Sequence, residues 1–291
     1  MKRILWKISG ILISFLLFAL VYFTIKIHHT LEARKDIELG YLEALRVIAS
    51  RNYDSKEEVA LKNQLEKKST ENIHIYYKRE QHHLASYTLE ALDRARTENI
   101  QLIGDYPTPS LDFILFKDSE QFYRFAQIND TNGYYSDFDK LIGILPPEQS
   151  SASANGQKEL LDYIVMHEYS HYALLQKIQA LGIKENVPEW FLEGYAEYIS
   201  FIHSKAIPSH IPLDNVIPFE VLEKPDRWKH LRTAGAADIY QQSEEAIAYI
   251  VKEFGKDALL DILKKIDNTH SFEEALEQST GLNYDELEAK L

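Results

Sequence analysis

The chain has 291 residues, of which 45% are hydrophobic and none is cysteine. This composition excludes a disordered chain, a disulfide framework and a thiolate metal site. Residues 1–27 contain four basic and no acidic residues, so the remaining chain carries 28 basic against 45 acidic residues, a net charge of −17. Such a surface repels phosphate backbones and anionic lipid headgroups, which argues against nucleic acid as a partner.

The N-terminal segment has the pattern of a membrane anchor. Eighteen uncharged residues separate Lys7 from Lys26, which reaches the lower limit for spanning a bilayer. Lys2, Arg3 and Lys7 precede this run, so the positive-inside rule places the N-terminus in the cytoplasm. A cleaved signal peptide is the alternative, but bulky residues stand where a small-residue cleavage site is required. We therefore expect residues 1–27 to be an uncleaved single-pass transmembrane helix, with the rest of the chain outside the cell membrane.

The remainder of the chain is predicted to be a stalk followed by one mixed domain. Residues 28–72 are charged and strongly helix-forming, which predicts a helical juxtamembrane stalk, with a lid on the main domain as the alternative. Hydrophobic patterns after the stalk predict three strands and two intervening helices, at 73–77, about 81–103, 111–116, 119–128 and 141–145. Asn132 to Tyr135 give a turn signal, and helical patterns continue from Gln157 onward. Strands first and helices afterwards predict an α+β fold, with a small mixed sheet beside a long helix and a helical C-terminal lobe.

The most informative motif is His167-Glu168-Tyr169-Ser170-His171, which lies within an uninterrupted helical pattern. Two histidines four apart project from the same helix face and can bind one Zn²⁺. Glu168, next to the first histidine, is placed to take a proton from an attacking water. The alternative is a pair of core histidines whose ring nitrogens bond to the backbone. The motif and its helical context favour the metal site.

A second motif follows after 21 residues, in the segment Pro188-Glu-Trp-Phe-Leu-Glu-Gly-Tyr-Ala-Glu-Tyr198. The two motifs together resemble the gluzincin metallopeptidases, in particular the peptidase MA-like group, over about residues 73–291. The resemblance implies a zincin-like catalytic domain in which Glu193 is the third zinc ligand. Glu197 lies one turn further on the same helix face, so it can accept the free N–H of a ligating histidine. An exposed carboxylate at Glu197 is the alternative.

The resemblance also suggests residues that act on the substrate. Related enzymes stabilise the oxyanion with a Tyr or His from the helical lobe, which nominates Tyr240 and, less strongly, His230. Ser243 is expected to be a helix N-cap because two glutamates follow it. Zincins hold their substrate by strand addition, and the predicted strand 141–145 is the expected edge. The substrate-amine motif of gluzincin aminopeptidases is absent, which favours an endopeptidase.

These observations predict a membrane-anchored zinc metallopeptidase that acts on a peptide or protein substrate outside the cytoplasmic membrane. His167, His171 and Glu193 would hold Zn²⁺, Glu168 would be the general base and Tyr240 would stabilise the oxyanion. The second hypothesis is a non-catalytic extracytoplasmic module that keeps the cleft to bind peptides or cell-wall components. The third is a structural zinc site, which is disfavoured because such sites usually have four protein ligands and often cysteine.

Overall fold

The computed structural model describes residues 17–26, 28–29, 40–42, 44–45, 54–126, 131–147, 154–184, 186–203, 213, 215–235, 238–269 and 271–291. The chain divides into two compact units, Met1–Gln64 and Leu65–Leu291. The first unit contains a helical stretch at residues 17–26 and helix α1 (Lys56–Lys62). Ser55 caps α1 by accepting a hydrogen bond from the Glu58 N–H at 3.0 Å. Of the predicted stalk before Asp54, the structure describes residues 28–29, 40–42 and 44–45, and the rest lies outside the described part of the chain.

The predicted transmembrane anchor at residues 1–27 is wrong, and so is the single-pass membrane location derived from it. Within the described ranges, no helix combines the length and the apolar character that crossing a bilayer requires. Residues 1–16 lie outside the described residues. An apolar run identifies hydrophobic character, but it does not by itself specify a continuous helix of spanning length.

The second unit is built on a mixed five-stranded sheet. Its strands are β1 (Glu66–Thr70), β2 (Ile73–Tyr77), β3 (Leu111–Leu115), β4 (Gly133–Ser136) and β5 (Leu141–Ile144), in the order β1-β2-β3-β5-β4. The central strands β2, β3 and β5 are parallel, with Ile75 opposite Phe113 and Phe113 opposite Ile142. These three side chains are fully buried. The three strands predicted from hydrophobic runs are therefore confirmed, and they form the middle of the sheet.

The two outer strands correct the sequence-based predictions. β1 lies within the segment predicted as the stalk. It was not predicted as a strand because its sequence, Glu-Lys-Lys-Ser-Thr, contains no apolar residue that would mark one. β4 lies where a turn was predicted, and the actual turn spans residues 137–140, with Lys140 at φ 52°. Both outer strands run antiparallel to their neighbours. The predicted edge strand, β5, is thus an interior strand, and β4 forms the edge.

Helices surround this sheet and make up the C-terminal part of the unit. They are α2 (His82–Ile103), α3 (Ser119–Ala126), α4 (Ala154–Leu181), α5 (Glu189–His203), α6 (Phe219–Leu222), α7 (Pro225–Ala234), α8 (Ile239–Phe254), α9 (Ala258–Thr269), α10 (Phe272–Thr280) and α11 (Tyr284–Glu288). α4 packs against β4 and β5 on one side and against α2 and α5 on the other. The unit therefore has the predicted α+β composition of a small mixed sheet, a long helix and a helical C-terminal region.

Helix α5, which carries the second motif, packs closely against α8 at Gly194. A Cβ atom on Gly194 would lie 2.4 Å from the backbone oxygen of Ser243, so only glycine permits this approach. Ser243 is fully buried inside α8 and donates to the Ile239 oxygen at 2.6 Å. The predicted N-cap at Ser243 is wrong, because Asp238 caps the helix by accepting from the Gln241 N–H at 2.9 Å. The two glutamates after Ser243 therefore lie beyond the first turn of the helix.

Candidate metal centre

The two histidines of the first motif lie on one face of α4, as their spacing predicts. The opposite face of α4 is held in the core by residues such as Leu161, Val165 and Leu174, which are fully buried. This packing turns His167 and His171 toward a cleft, where their side chains remain 13% and 16% exposed. Their Nε2 atoms are 3.1 Å apart. The pair therefore presents two ring nitrogens to one point in the cleft.

Glu193 completes this group from the neighbouring helix α5. Its Oε2 atom lies 3.3 Å from the Nε2 of His167 and 3.4 Å from the Nε2 of His171. Two ligands bound to a tetrahedral metal at about 2.0–2.1 Å lie about 3.3 Å apart, which matches all three sides of this triangle. His167, His171 and Glu193 thus form a group that could hold a metal ion, and its donors fit three positions of a tetrahedral site.

Electrostatic coupling within the group is strong. Burial alone would raise the pKa of Glu193, but the neighbouring His171 and His167 outweigh it and lower that pKa well below its usual range. Burial opposes protonation of His167, yet Glu197 and Glu193 raise the pKa of this histidine to about 10. The acidic surroundings therefore favour a positive charge at this point, either a proton on the histidine or a cation between the donors.

Glu168 lies beside this group and faces the same cleft. Its side chain is only 7% exposed, and burial raises the pKa of its carboxyl group despite the opposing effect of His167 and His171. The carboxylate lies against strand β4, since a Cβ atom on Gly133 would be 2.6 Å from Glu168 Oε1. The absence of a side chain at Gly133 is therefore what leaves room for Glu168.

Glu197 faces the far side of the His167 ring, as the spacing predicted. Its Oε1 atom is 3.4 Å from the Nδ1 of His167, while its Oε2 accepts a hydrogen bond from the Tyr163 hydroxyl. Glu197 is 6% exposed, so the alternative of an exposed carboxylate is wrong. Tyr163 was not predicted from the sequence, although its position one turn before His167 on α4 places it on the same face.

The cleft around these residues has a volume of about 990 Å³. It lies between β4 and α4 on one side and α5 and the start of α8 on the other. Tyr240 is a lining residue and packs edge-on against Trp228, with ring centroids 5.5 Å apart. His230, the weaker candidate, is exposed and does not line the cleft. Arg232 and Glu189 also line the cleft. Arg232 was not predicted as a cleft residue, because α7 contains several charged residues and nothing in its sequence distinguishes this one.

Fold and site together define an α+β protein with a candidate metal centre in the cleft between its sheet and its helical region. No protein-family model matches the chain. The chain is similar to the uncharacterized protein YhcO of Bacillus subtilis (strain 168), with 29% identity over 237 residues. The matched region covers 80% of this chain and 72% of that protein.

Proposed function

We propose that this protein is a zinc-dependent metallopeptidase that hydrolyses peptide bonds with an activated water. The observation that carries the proposal is a buried glutamate, Glu168, placed beside the donor triangle of His167, His171 and Glu193 in one open cleft. A catalytic zinc site typically has three protein ligands of this kind and leaves a further position open. The resemblance to gluzincins supports the same assignment.

The donor set supports zinc as the metal. Two imidazole nitrogens and one carboxylate oxygen suit Zn²⁺, whereas Mg²⁺ and Ca²⁺ prefer sites built from oxygen ligands. When bound, Zn²⁺ would supply a Lewis acid that polarises the substrate carbonyl and lowers the pKa of water. Glu197, held by Tyr163, orients the His167 ring so that its Nε2 faces the metal position.

Glu168 is the general base in this proposal. It takes a proton from the attacking water and passes that proton to the nitrogen of the leaving amine as the peptide bond breaks. Burial raises the pKa of Glu168 toward neutral pH. A group that both accepts and donates a proton is most effective when its pKa lies near the working pH. Tyr240, across the cleft, donates a hydrogen bond to the oxygen that becomes negatively charged.

An extended substrate is expected to pair with strand β4, which replaces the strand predicted from the sequence. The Leu145 N–H donates to the Asn132 oxygen at 2.8 Å, so Asn132 directs its backbone groups toward β5. Along an antiparallel strand this direction alternates from residue to residue, so the backbone N–H and C=O groups of Gly133 and Tyr135 point away from β5. At Gly133 these groups bond to the Thr131 hydroxyl, at 3.2 Å for the N–H and 2.6 Å for the oxygen. The backbone of a substrate strand would take the place of the Thr131 hydroxyl as the partner of Gly133, and it would form further hydrogen bonds with the backbone of Tyr135.

The experiment that tests the proposal measures zinc content and peptide cleavage on the full chain. Purified protein is analysed for bound metal and then incubated with a peptide library, with Glu168→Gln as the matched variant. We expect one zinc per chain and cleavage that the variant loses by several orders of magnitude. A wild-type chain without zinc, or a variant as active as the wild type, contradicts the proposal. Peptide binding without cleavage by the wild type would instead identify a binding module.

A further inference from the structure

Three fully buried polar side chains lie behind the metal centre, one on each of three packed helices. They are Asn99 on α2, Ser170 on α4 and Tyr195 on α5, each with 0% exposure. Ser170 directly precedes the ligand His171, and Tyr195 follows the ligand Glu193 by two residues. Helix α2 packs against both α4 and α5. The three residues thus connect the two helices that carry the metal ligands, through a helix that carries none.

Asn99 is bonded on every side of its amide. Its Nδ2 donates to Ser170 Oγ at 3.1 Å and to the Ala95 oxygen at 2.8 Å, while its Oδ1 accepts from the Tyr195 hydroxyl at 2.8 Å. Ser170 in turn donates to the Met166 oxygen at 2.7 Å. Because a carbonyl oxygen only accepts hydrogen bonds, the Ala95 oxygen fixes which end of the amide is the donor. The directions of all four bonds are therefore determined.

Such a network constrains how α4 and α5 can move relative to each other. Apolar contacts tolerate small sliding of one helix along another, whereas hydrogen bonds require specific distances and angles. A slip of α5 along α4 would break the bonds at Asn99 and leave buried polar groups unpaired. The same slip would separate Glu193 from His167 and His171, which stand on different helices. On the cleft side, Tyr163 and Glu197 make a second bond between these helices.

We propose that Asn99 is a positioning residue of the metal centre. Through Ser170 and Tyr195 it holds the two ligand helices in the register that brings three donor atoms to one point. Asn99 itself does not touch the metal or the substrate. This inference rests on the proposed zinc site, but it does not depend on peptidase activity.

The test compares zinc affinity in conservative variants that each remove one bond to Asn99. Ser170→Ala removes the acceptor on α4, and Tyr195→Phe removes the donor on α5. Each variant has a matched control that removes a hydrogen bond of a buried side chain elsewhere. Ser200→Ala, also on α5, loses only a local bond to the Ala196 oxygen. Tyr172→Phe, also on α4, loses a bond to the Pro109 oxygen, which is not on a ligand helix.

Zinc dissociation constants are measured on the full chain by competition with a chromophoric chelator, and unfolding free energies are measured in parallel without metal. We expect Ser170→Ala and Tyr195→Phe to weaken zinc binding about tenfold, the lower end of the range for residues that support metal ligands. The two controls should bind zinc as the wild type does, whatever their stability. Affinities that follow stability equally in all four variants would overturn the inference alone. A wild-type chain that binds no zinc would overturn both the inference and the metal centre.

Discussion

Replacing Gly133 by alanine should impair catalysis without affecting metal binding. The added Cβ would lie 2.6 Å from Glu168 Oε1, 2.7 Å from Ile164 Cγ2 and 2.8 Å from Glu168 Cγ. An ordinary contact is at least 3.4 Å, so the carboxylate must move by about 0.8 Å. A displacement of about 1 Å can cost about 10²-fold in rate, which corresponds to about 2.7 kcal/mol. No metal ligand is among these three closest contacts, so zinc affinity should stay at the wild-type value.

The assay for Gly133→Ala combines kcat, zinc affinity and stability. We expect a fall in kcat of about 10²-fold, a KM that changes much less, and a loss of unfolding free energy of about 1–3 kcal/mol from overpacking. In a Glu168→Ala background, two of the three close contacts disappear, so the same substitution should cost less stability there. Full activity of Gly133→Ala, or an equal loss of stability in both backgrounds, would contradict the predicted clash between residue 133 and Glu168.

Three further predictions concern the metal site and the cleft. Because His167 has a pKa of about 10 and only its neutral form is a ligand, zinc affinity should rise about tenfold per pH unit below that value. Titrations with buffered zinc between pH 6 and 8 measure this slope, and a flat profile would contradict it. Glu197→Gln should weaken zinc binding about 10–100-fold, and an unchanged dissociation constant would remove Glu197 from its role at His167. Tyr240→Phe should lower kcat about 10²–10³-fold with little change in zinc content; wild-type kcat in this variant would mean that Tyr240 only packs against Trp228.

The site was predictable because its spacing has direct geometric meaning. His167 and His171, four apart in a helical pattern, had to share a face, and the same rule placed Glu197 one turn beyond Glu193. The contact between the two helices was not predictable from periodicity. The second motif supplied it through resemblance, and in the structure α4 and α5 are joined by the Tyr163–Glu197 hydrogen bond and, through Asn99, by Ser170 and Tyr195.

The errors arose where tertiary context decides the local structure. β1 is polar throughout and β4 overlaps a turn signal, so neither strand shows a hydrophobic alternation that a sequence pattern can detect. The order of strands in the sheet is set by long-range pairing, which is why β5 was taken for the edge. Asn99 lies in an otherwise ordinary helix, and nothing in its sequence surroundings indicates bonds to Ser170 and Tyr195. The N-terminal apolar run was interpreted from its length, its flanking charges and its lack of a cleavage site, and none of these specifies a continuous helix of spanning length.

The most direct test of the proposed peptidase function compares peptide cleavage by the zinc-loaded wild-type chain and by the Glu168→Gln variant, at equal zinc content. Glu168 is not a ligand in the proposed site, so both proteins should bind one zinc ion per chain. We expect cleavage by the wild type and a loss of several orders of magnitude in kcat for the variant. Equal cleavage rates in the two zinc-loaded proteins would contradict the proposed function.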